Sequence, residues 1–302
     1  RSRGLGDVYK RQNQLKYIVA IADELNISKA AQKLYISQPS LSQCVQNIEK
    51  ELGAQIFDRS TTPLKITYAG EVYVNWARNI LNSSEEVNRQ IADISGQKNI
   101  KLVIGISPYR STCILPSVIK QFKELYPQSY IVIEEHPTSI LHSLMDDGKI
   151  DLLIDTPHPD TIDYTSIPLI KENIFLEVPD SWEVLEDEID LKEFSEKPFI
   201  MLSKEQLLGK AARDYCLKNG FEPKIVLECH TIETAHSFVK QGLGAAFVPE
   251  LFMKYWDDGK NYYKIKGFSP DRQFCVIYSN KRYLPDASKY FIKILDDFLH
   301  RG

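Results

Sequence analysis

The stretch SKAAQKLYISQPSLSQCVQNIEKELG, from Ser28 to Gly53, constrains this 302-residue chain more tightly than any other. Helical periodicity runs on both sides of a Ser-Gln-Pro-Ser break, so the segment reads as two short helices joined by a turn. Ser28 is placed to cap the first helix, which carries Ala30, Ala31 and Leu34 on one face. Small residues there let a neighbouring helix approach closely. Tyr35-Ile36 closes that helix and Ser37 caps the next, with Pro39 in a first turn where a missing N–H costs nothing. Leu41, Val45, Ile48 and Leu52 are expected to form its buried stripe, and Gly53 to end it in a left-handed cap. Upstream, Leu15, Ile18, Val19 and Ala22 recur at three- and four-residue steps and predict a preceding helix.

The face opposite that stripe offers Gln38, Ser40, Ser42, Gln43 and Gln46, short or amide side chains without charge. Their donors and acceptors suit base edges and phosphates, and such a face at the start of a second helix fits the major groove. A plain helical hairpin with a solvated polar face would show the same spacing. The next residues, LGAQIFDRSTTPLKITYAG, favour the first reading. They predict strands at Gln55–Phe57 and Leu64–Ile66 around a Ser-Thr-Thr-Pro turn, a β-wing with Arg59 and Lys65 for phosphates, and Thr67 capping a long helix.

Six motifs in order resemble the winged helix-turn-helix of LysR-type transcriptional regulators. They are Gln14-Leu15-x-Tyr17, Ser28-x-Ala30-Ala31-x-x-Leu34, Ser37-Gln38-Pro39-Ser40-Leu41-Ser42, Glu49-x-Glu51-Leu52-Gly53, Ile56-Phe57-x-Arg59 and Thr67-x-Ala69-Gly70. The resemblance implies double-stranded operator DNA as a partner, with RNA polymerase beside it. The expected DNA-binding residues are Ser28, Gln38, Pro39, Ser40, Ser42, Gln43, Gln46, Arg59, Lys65 and Thr67.

Charge alone would not announce a nucleic-acid binder. Residues 13–68 carry six Lys and Arg against five Asp and Glu, within a chain of net charge −4. The opening residues RSRGLGDVYKRQ hold a net +3 and show no apolar periodicity. They resemble a translated sequencing-library adapter, so residues 1–12 are expected to be non-native; a basic arm touching DNA is the alternative. The expected division is a winged helix-turn-helix over 13–67, a linker and dimerisation helix with hinge over 68–98, and an effector domain over 99–302.

Within the linker, Tyr73, Ile80, Val87 and Ile94 recur every seven residues, flanked by Ala77 and Ile91 with Ser84 between. A sustained heptad outside a globular core points to pairing with a second helix, hence a homodimer or homotetramer. Ile94-Ser95-Gly96-Gln97-Lys98 reads as a hinge.

Beyond it the period changes. KLVIGIS, SYIVIEE and DLLID are β-rich runs separated by helical stretches at Leu115–Tyr126 and Ile140–Asp147. A second set follows at Ile174–Val178, Phe199–Leu202, Gly209–Lys218, Lys224–Glu228, Ile232–Gln241 and Gly244–Val248, and FCVIYS and a helix over Ala287–Leu299 close the chain. Alternation of this kind predicts α/β architecture with mostly parallel sheets. Gly105-x-Ser107, Leu115-Pro116, Phe122-x-x-x-Tyr126-Pro127, Gly148-x-x-Asp151 and Gly242-x-Gly244-x-x-x-x-Pro249 resemble the two-lobed LysR effector domain, built like a periplasmic solute-binding protein. Lobe I is expected over 99–171 and 274–302, and lobe II over 172–273.

In open α/β sheets ligands lie beyond the carboxyl ends of strands, against helix N-termini that favour anions. Ser107 and Thr138, with Ser139, follow lobe I strands; Ser203 and Thr231 follow lobe II strands; Arg110 could pair a carboxylate. These residues are the expected site for a small, anionic effector. Each hydroxyl taken singly could equally be a plain N-cap.

Catalytic and cofactor motifs are lacking. Gly105-Ile106-Ser107-Pro108-Tyr109 is no nucleophile elbow, there is no P-loop or dinucleotide fingerprint, and Cys229-His230 and His236 lack metal-site spacing. No enzyme, cofactor or metal is expected. The five cysteines are scattered without C-x-x-C, which suits a reducing cytoplasm. Cys216 falls where the family's peroxide sensors have a resolving cysteine, but Leu207 occupies the reactive position, so thiol switching is not expected. No apolar run is long enough for a bilayer. The rival from another class is a solute-binding or transport-associated module whose N-terminal hairpin only oligomerises.

Overall fold

The structure, a computed structural model, describes residues 3–96, 100–184, 186–256, 261–268 and 273–300. The chain divides into two compact units, residues 1–92 and 93–302.

The first unit contains α1 (Arg3–Glu24), α2 (Ile27–Lys33), α3 (Gln38–Leu52), β1 (Phe57–Asp58), β2 (Lys65–Ile66) and most of α4 (Tyr68–Ile94). Ile18, Ile21, Ala30, Ala31, Leu41, Val45, Ile48, Ile56 and Phe57 form its core. Ser37 caps α3 by accepting the Ser40 N–H, Pro39 sits in the first turn, and Gly53 ends the helix at φ 68°. In the two-stranded wing Phe57 lies opposite Ile66 and Asp58 opposite Lys65.

Several expectations need correction. Asn26, not Ser28, caps α2, accepting the Lys29 N–H at 3.0 Å; Ser28 lies inside the first turn, exposed. Asn26 already has the extended backbone a cap requires, so the helix starts two residues earlier. Leu52 is 47% exposed although it continues the stripe, because the helix outruns its core at that end. The wing strands are two residues each, β1 starting two residues later than expected and β2 one residue later. Finally, α1 extends back to Arg3 through most of the segment set aside as non-native. Once the Leu15–Ala22 turns are formed, each added residue needs only one more bond, so a Pro-free flank propagates without apolar periodicity. Gln12 also donates to the Ser84 hydroxyl on α4 at 3.2 Å.

Along α4, Val74 and Ala77 are buried, whereas Ile80, Val87, Ile91 and Ile94 are 43–87% exposed. Of the expected hinge, Gln97 and Lys98 lie outside the described residues.

The second unit holds β3 (Lys101–Ile106), α5 (Pro108–Leu125), β4 (Tyr130–Glu135), α6 (Thr138–Asp146), β5 (Leu152–Asp155) and β6 (Tyr164–Lys171). Then come β7 (Ile174–Glu177), β8 (Glu188–Ile189), a 3-10 turn (Leu191–Phe194), β9 (Pro198–Leu202), α7 (Leu207–Lys218) and β10 (Lys224–Cys229). It closes with α8 (Ile232–Lys240), β11 (Ala245–Pro249), α9 (Glu250–Trp256), β12 (Tyr262–Ile265), β13 (Gln273–Ser279) and α10 (Asp286–His300).

Two sheets result, ordered β4-β3-β5-β13-β6 and β10-β9-β11-β7-β12-β8. The chain passes from the first to the second between β6 and β7, at Glu172-Asn173, and returns into β13. Both sheets are mixed rather than mostly parallel, since β13 runs antiparallel to β5 and β6, and β7 to β11 and β12. Each has its own apolar core, around Ile104, Phe122, Phe274 and Phe291 in the first and Phe199, Phe247 and Phe252 in the second. The helix expected to begin at Leu115 starts at Pro108 and keeps Pro116 inside it. Proline at the first position is free of cost, and the buried face of α5 holds the interior one in place.

Candidate nucleic-acid interface and ligand cleft

On α3, Gln38, Pro39, Ser40, Gln43 and Gln46 are exposed and Ser42 is half-buried. The opposite face buries Leu41, Val45 and Ile48. Ser37 Oγ lies 2.7 Å from Ser40 Oγ, and Gln43 Nε2 donates to Asn47 Oδ1 at 3.1 Å. Gln14 of α1, Pro39, Ser40, Gln43, Asn47 and Lys50 line one shallow depression along this edge. Gln14, Asn47 and Lys50 were not foreseen as part of this surface. Asn47 and Lys50 stand four and seven residues after Gln43, a helical spacing that would have identified them.

Two wing residues are committed internally. Arg59 donates to Glu49 Oε2 at 2.8 Å, while Glu49 Oε1 accepts the Ile56 and Phe57 N–H groups. Arg59 therefore ties the wing to α3, with a third of its side chain exposed. Thr67 donates to the Gln55 carbonyl at 2.6 Å and accepts the Gly70 N–H at 2.9 Å, the work of a cap. Gly70 leaves no alternative there, because a Cβ would sit 2.0 Å from the Ile56 carbonyl oxygen. Lys65 is exposed on β2, and the exposed Ser28 hydroxyl stays outside the α2 cap.

In the second unit a cavity of about 510 Å³ is lined from both sheets' helices. Ser107, Arg110, Thr138, Ser139 and Thr231 lie on it together. Ser203 does not: it is 5% exposed, and its hydroxyl accepts the Glu205 N–H at 3.4 Å in a tight turn. Thr231 caps α8, accepting the Thr234 N–H. Ser107 occupies the cap position of α5 yet makes no side-chain cap bond, and its Oγ is buried without a partner. Thr138 and Ser139 open α6, which likewise lacks a side-chain cap bond. The first turns of α5 and α6 thus present backbone donors that no side chain satisfies.

Arg110 is not a free cation. It is 2% exposed, its Nη1 donates to Asp155 Oδ1 at 2.8 Å, and its Nε donates to the Tyr109 hydroxyl at 2.9 Å. Tyr109 donates in turn to Glu172 at 3.0 Å, and the guanidinium stacks 3.6 Å from the Phe274 ring centroid. Burial would lower the guanidinium pKa, but Tyr109, Asp155 and Glu172 outweigh it and hold the group charged. The chain from Asp155 through Arg110 and Tyr109 to Glu172 ends at the crossing between the sheets. That network was not foreseen, because its members are far apart in sequence.

Cys216 is buried, and desolvation pushes its thiol up to about 12. Cys113 is raised to about 12 in the same way, first by burial and then by Glu233 and Glu172. Neither has thiolate character near neutral pH. Among the described residues no group of His, Cys, Asp or Glu is arranged to hold a metal.

Two family models match the chain. Residues 12–71 match the bacterial regulatory helix-turn-helix protein, lysR family, and residues 95–299 match the LysR substrate binding domain. A "Probable RuBisCO transcriptional regulator" of Synechocystis sp. is 30% identical over 96% of this chain and 86% of its own. The Bacillus subtilis HTH-type transcriptional regulator YcgK is 28% identical over 93% of this chain and 92% of its own. Among solved structures, a full-length OxyR of Pseudomonas aeruginosa is similar with a TM-score of 0.72 at 23% identity, covering 96% of this chain and 94% of that one. Full-length CbnR, solved in complex with its target DNA, is similar with a TM-score of 0.63 at 18% identity, covering 95% and 99%.

Proposed function

Because the chain belongs to the LysR family of DNA-binding transcriptional regulators, we propose that α3 reads operator DNA under control of a small molecule held between the two lobes. Membership sets aside the solute-binding module with an oligomerising hairpin, since the family match covers the helix-turn-helix itself. Gln38, Ser40, Ser42, Gln43, Gln46 and Asn47 face base edges in the major groove, with Pro39 fixing the approach of the first turn. Ser28, Lys65, the exposed part of Arg59, and the segment around Thr67 meet phosphates. The observation that carries this is the two-sidedness of α3: three fully apolar buried positions on one side and uncharged donors and acceptors on the other.

The effector sits against Ser107, Thr138 and Ser139 with its anionic end on the first turns of α5 and α6, and Thr231 closes over it from lobe II. Lobes I and II divide at Lys171 and Gln273. The exposed heptad of α4 pairs with that of a second chain, giving a dimer or a dimer of dimers that engages RNA polymerase. Ligand binding shifts the population of lobe arrangements, and so the spacing of paired recognition helices. The protein works in the cytoplasm, where its DNA partner is; none of the described helices is long and apolar enough to cross a membrane. To DNA binding, residues 1–12 contribute only non-specific charge, while Gln12 bonds Ser84 of α4.

The test is the double variant Ser107→Ala/Thr138→Val. It should hold operator DNA but lose the effector-dependent change in footprint. Removing one hydroxyl bond to a charged ligand should cost about 1.5–3 kcal/mol, roughly ten- to a hundredfold in affinity. Unchanged effector affinity in that variant would move the site out of the cleft.

A further inference from the structure

We infer that the molecule recognised in the cleft is a zwitterion: an organic acid that also carries a cationic nitrogen, as an amino acid does. This rests on the cleft being the effector site. It adds a requirement that a merely anionic ligand does not meet.

The charge around the cavity is the first observation. The groups that attract an anion are backbone donors and hydroxyls at the starts of α5 and α6, all in lobe I. Among the described residues no free guanidinium or ammonium accompanies them, because Arg110 is held by Asp155; the cavity's other basic side chains are the imidazoles of His136, 3.4 Å from Glu134, and His230. Across the cavity stand Glu205 before α7 and Glu233 in the first turn of α8, while Glu135, at the end of β4, lies on the lobe I side beside the start of α6. None of the three has an ion-pair partner among the described residues. A ligand bearing only carboxylates would bring its charge beside half-buried Glu233 and the exposed Glu135 and Glu205, where like charges repel.

The second observation is Asp155. This carboxylate is 0% exposed on the cavity wall, and it uses only one oxygen. Its Oδ1 accepts from Arg110 and from the Thr156 N–H, each at 2.8 Å, while Oδ2 is buried without a partner. A buried carboxylate oxygen without a partner, on a residue that lines a cavity, is an acceptor that a ligand donor could satisfy. Ser107 Oγ, likewise buried and unpartnered, supplies the matching vacancy at the anionic end. One ligand can satisfy both ends. Its carboxylate meets Ser107 and the α5 and α6 donors in lobe I, and its nitrogen meets the carboxylates, two of which belong to lobe II. Such a molecule spans the cleft and favours the closed arrangement over the open one, which is the differential affinity a regulator needs.

The experiment uses the full-length protein and calorimetry with matched pairs: glutamate and glutarate, ornithine and valerate, diaminopimelate and pimelate, and the protein amino acids with their oxo acids. The expected result is that an amine-bearing member binds and its deaminated partner binds roughly a hundredfold more weakly. Glu205→Gln and Glu233→Gln should each weaken the amine-bearing member about tenfold and narrow that gap. Equal or tighter binding of the deaminated acid, tighter binding in the Gln variants, or no amine-bearing binder in the panel would overturn the inference. The variant Ser107→Ala/Thr138→Val separates the two readings. Plain acids that bind, and are lost in that variant, would keep the cleft and discard the zwitterion. An amine-bearing binder unaffected by it would discard the cleft.

Discussion

At the scale of single residues, the side chains that matter here are told apart by what they already hold. Gln43 is exposed and bonded only to Asn47, four residues on, so both amides can be redirected to a base without breaking the fold. Gln43→Ala should therefore relax discrimination at one base position by about 1–3 kcal/mol, as competition binding against single-substituted operators would register. Arg110 is the opposite case. Its removal strands a fully buried Asp155, and breaking a buried pair from one side costs about 3–5 kcal/mol. Arg110→Ala should lower the free energy of unfolding by that amount, seen as a lower midpoint in urea; an unchanged midpoint would mean that Asp155 finds water. Sequence favoured Arg110 as a ligand contact because a lone arginine after a strand invites a carboxylate. The carboxylate that takes it lies 45 residues away, beyond what spacing can show. Ser37, Pro39 and Gly53 were legible because a cap is a local matter of a few neighbouring residues. Ser28 was misplaced by two positions for the same reason turned round: Asn26 and Ser28 are both good caps, and only backbone geometry chooses.

Among the elements, periodicity located helices well and their ends poorly. The heptad of α4 was readable because Ile80, Val87 and Ile94 repeat without interruption, and in the single chain they remain exposed. Replacing Ile80 and Val87 together by Glu should shift the sedimenting species to monomer, since like charges would face each other across a paired seam. A dimer persisting at micromolar concentration would place the interface elsewhere. The start of α5 was lost behind two prolines, Pro108 and Pro116, each of which reads as a boundary. The strands β8 and β12 and the helix α9 went unseen because they are too short to show a period, and β6, eight residues long, because Leu169 is its one buried position and Pro168 interrupts it. The mixed direction of both sheets was out of reach too, since pairing partners such as β13 and β6 are about a hundred residues apart.

Across the whole molecule, a nearly neutral helix-turn-helix head precedes an acidic body in a chain of net charge −4. A head with so little excess positive charge gains little affinity from phosphates, which places more weight on the proposed reading by α3 and on pairing of two heads. The family match begins at residue 12, and deletion of residues 1–11 should keep specific operator binding while removing a salt-sensitive, sequence-independent part. A titration at several salt concentrations would separate the two; loss of operator discrimination would make the segment a true arm. The central claim, that paired α3 helices read a particular sequence, is tested most directly by selecting duplexes bound by the full-length protein from a random pool. The account requires one enriched motif with two symmetric half-sites roughly one helical turn (about 10 base pairs), or a multiple of it, apart, and loss of the same base positions in both halves when Gln38 and Gln43 are both changed to Ala. Enrichment of no motif, or of one that those substitutions leave untouched, would contradict it.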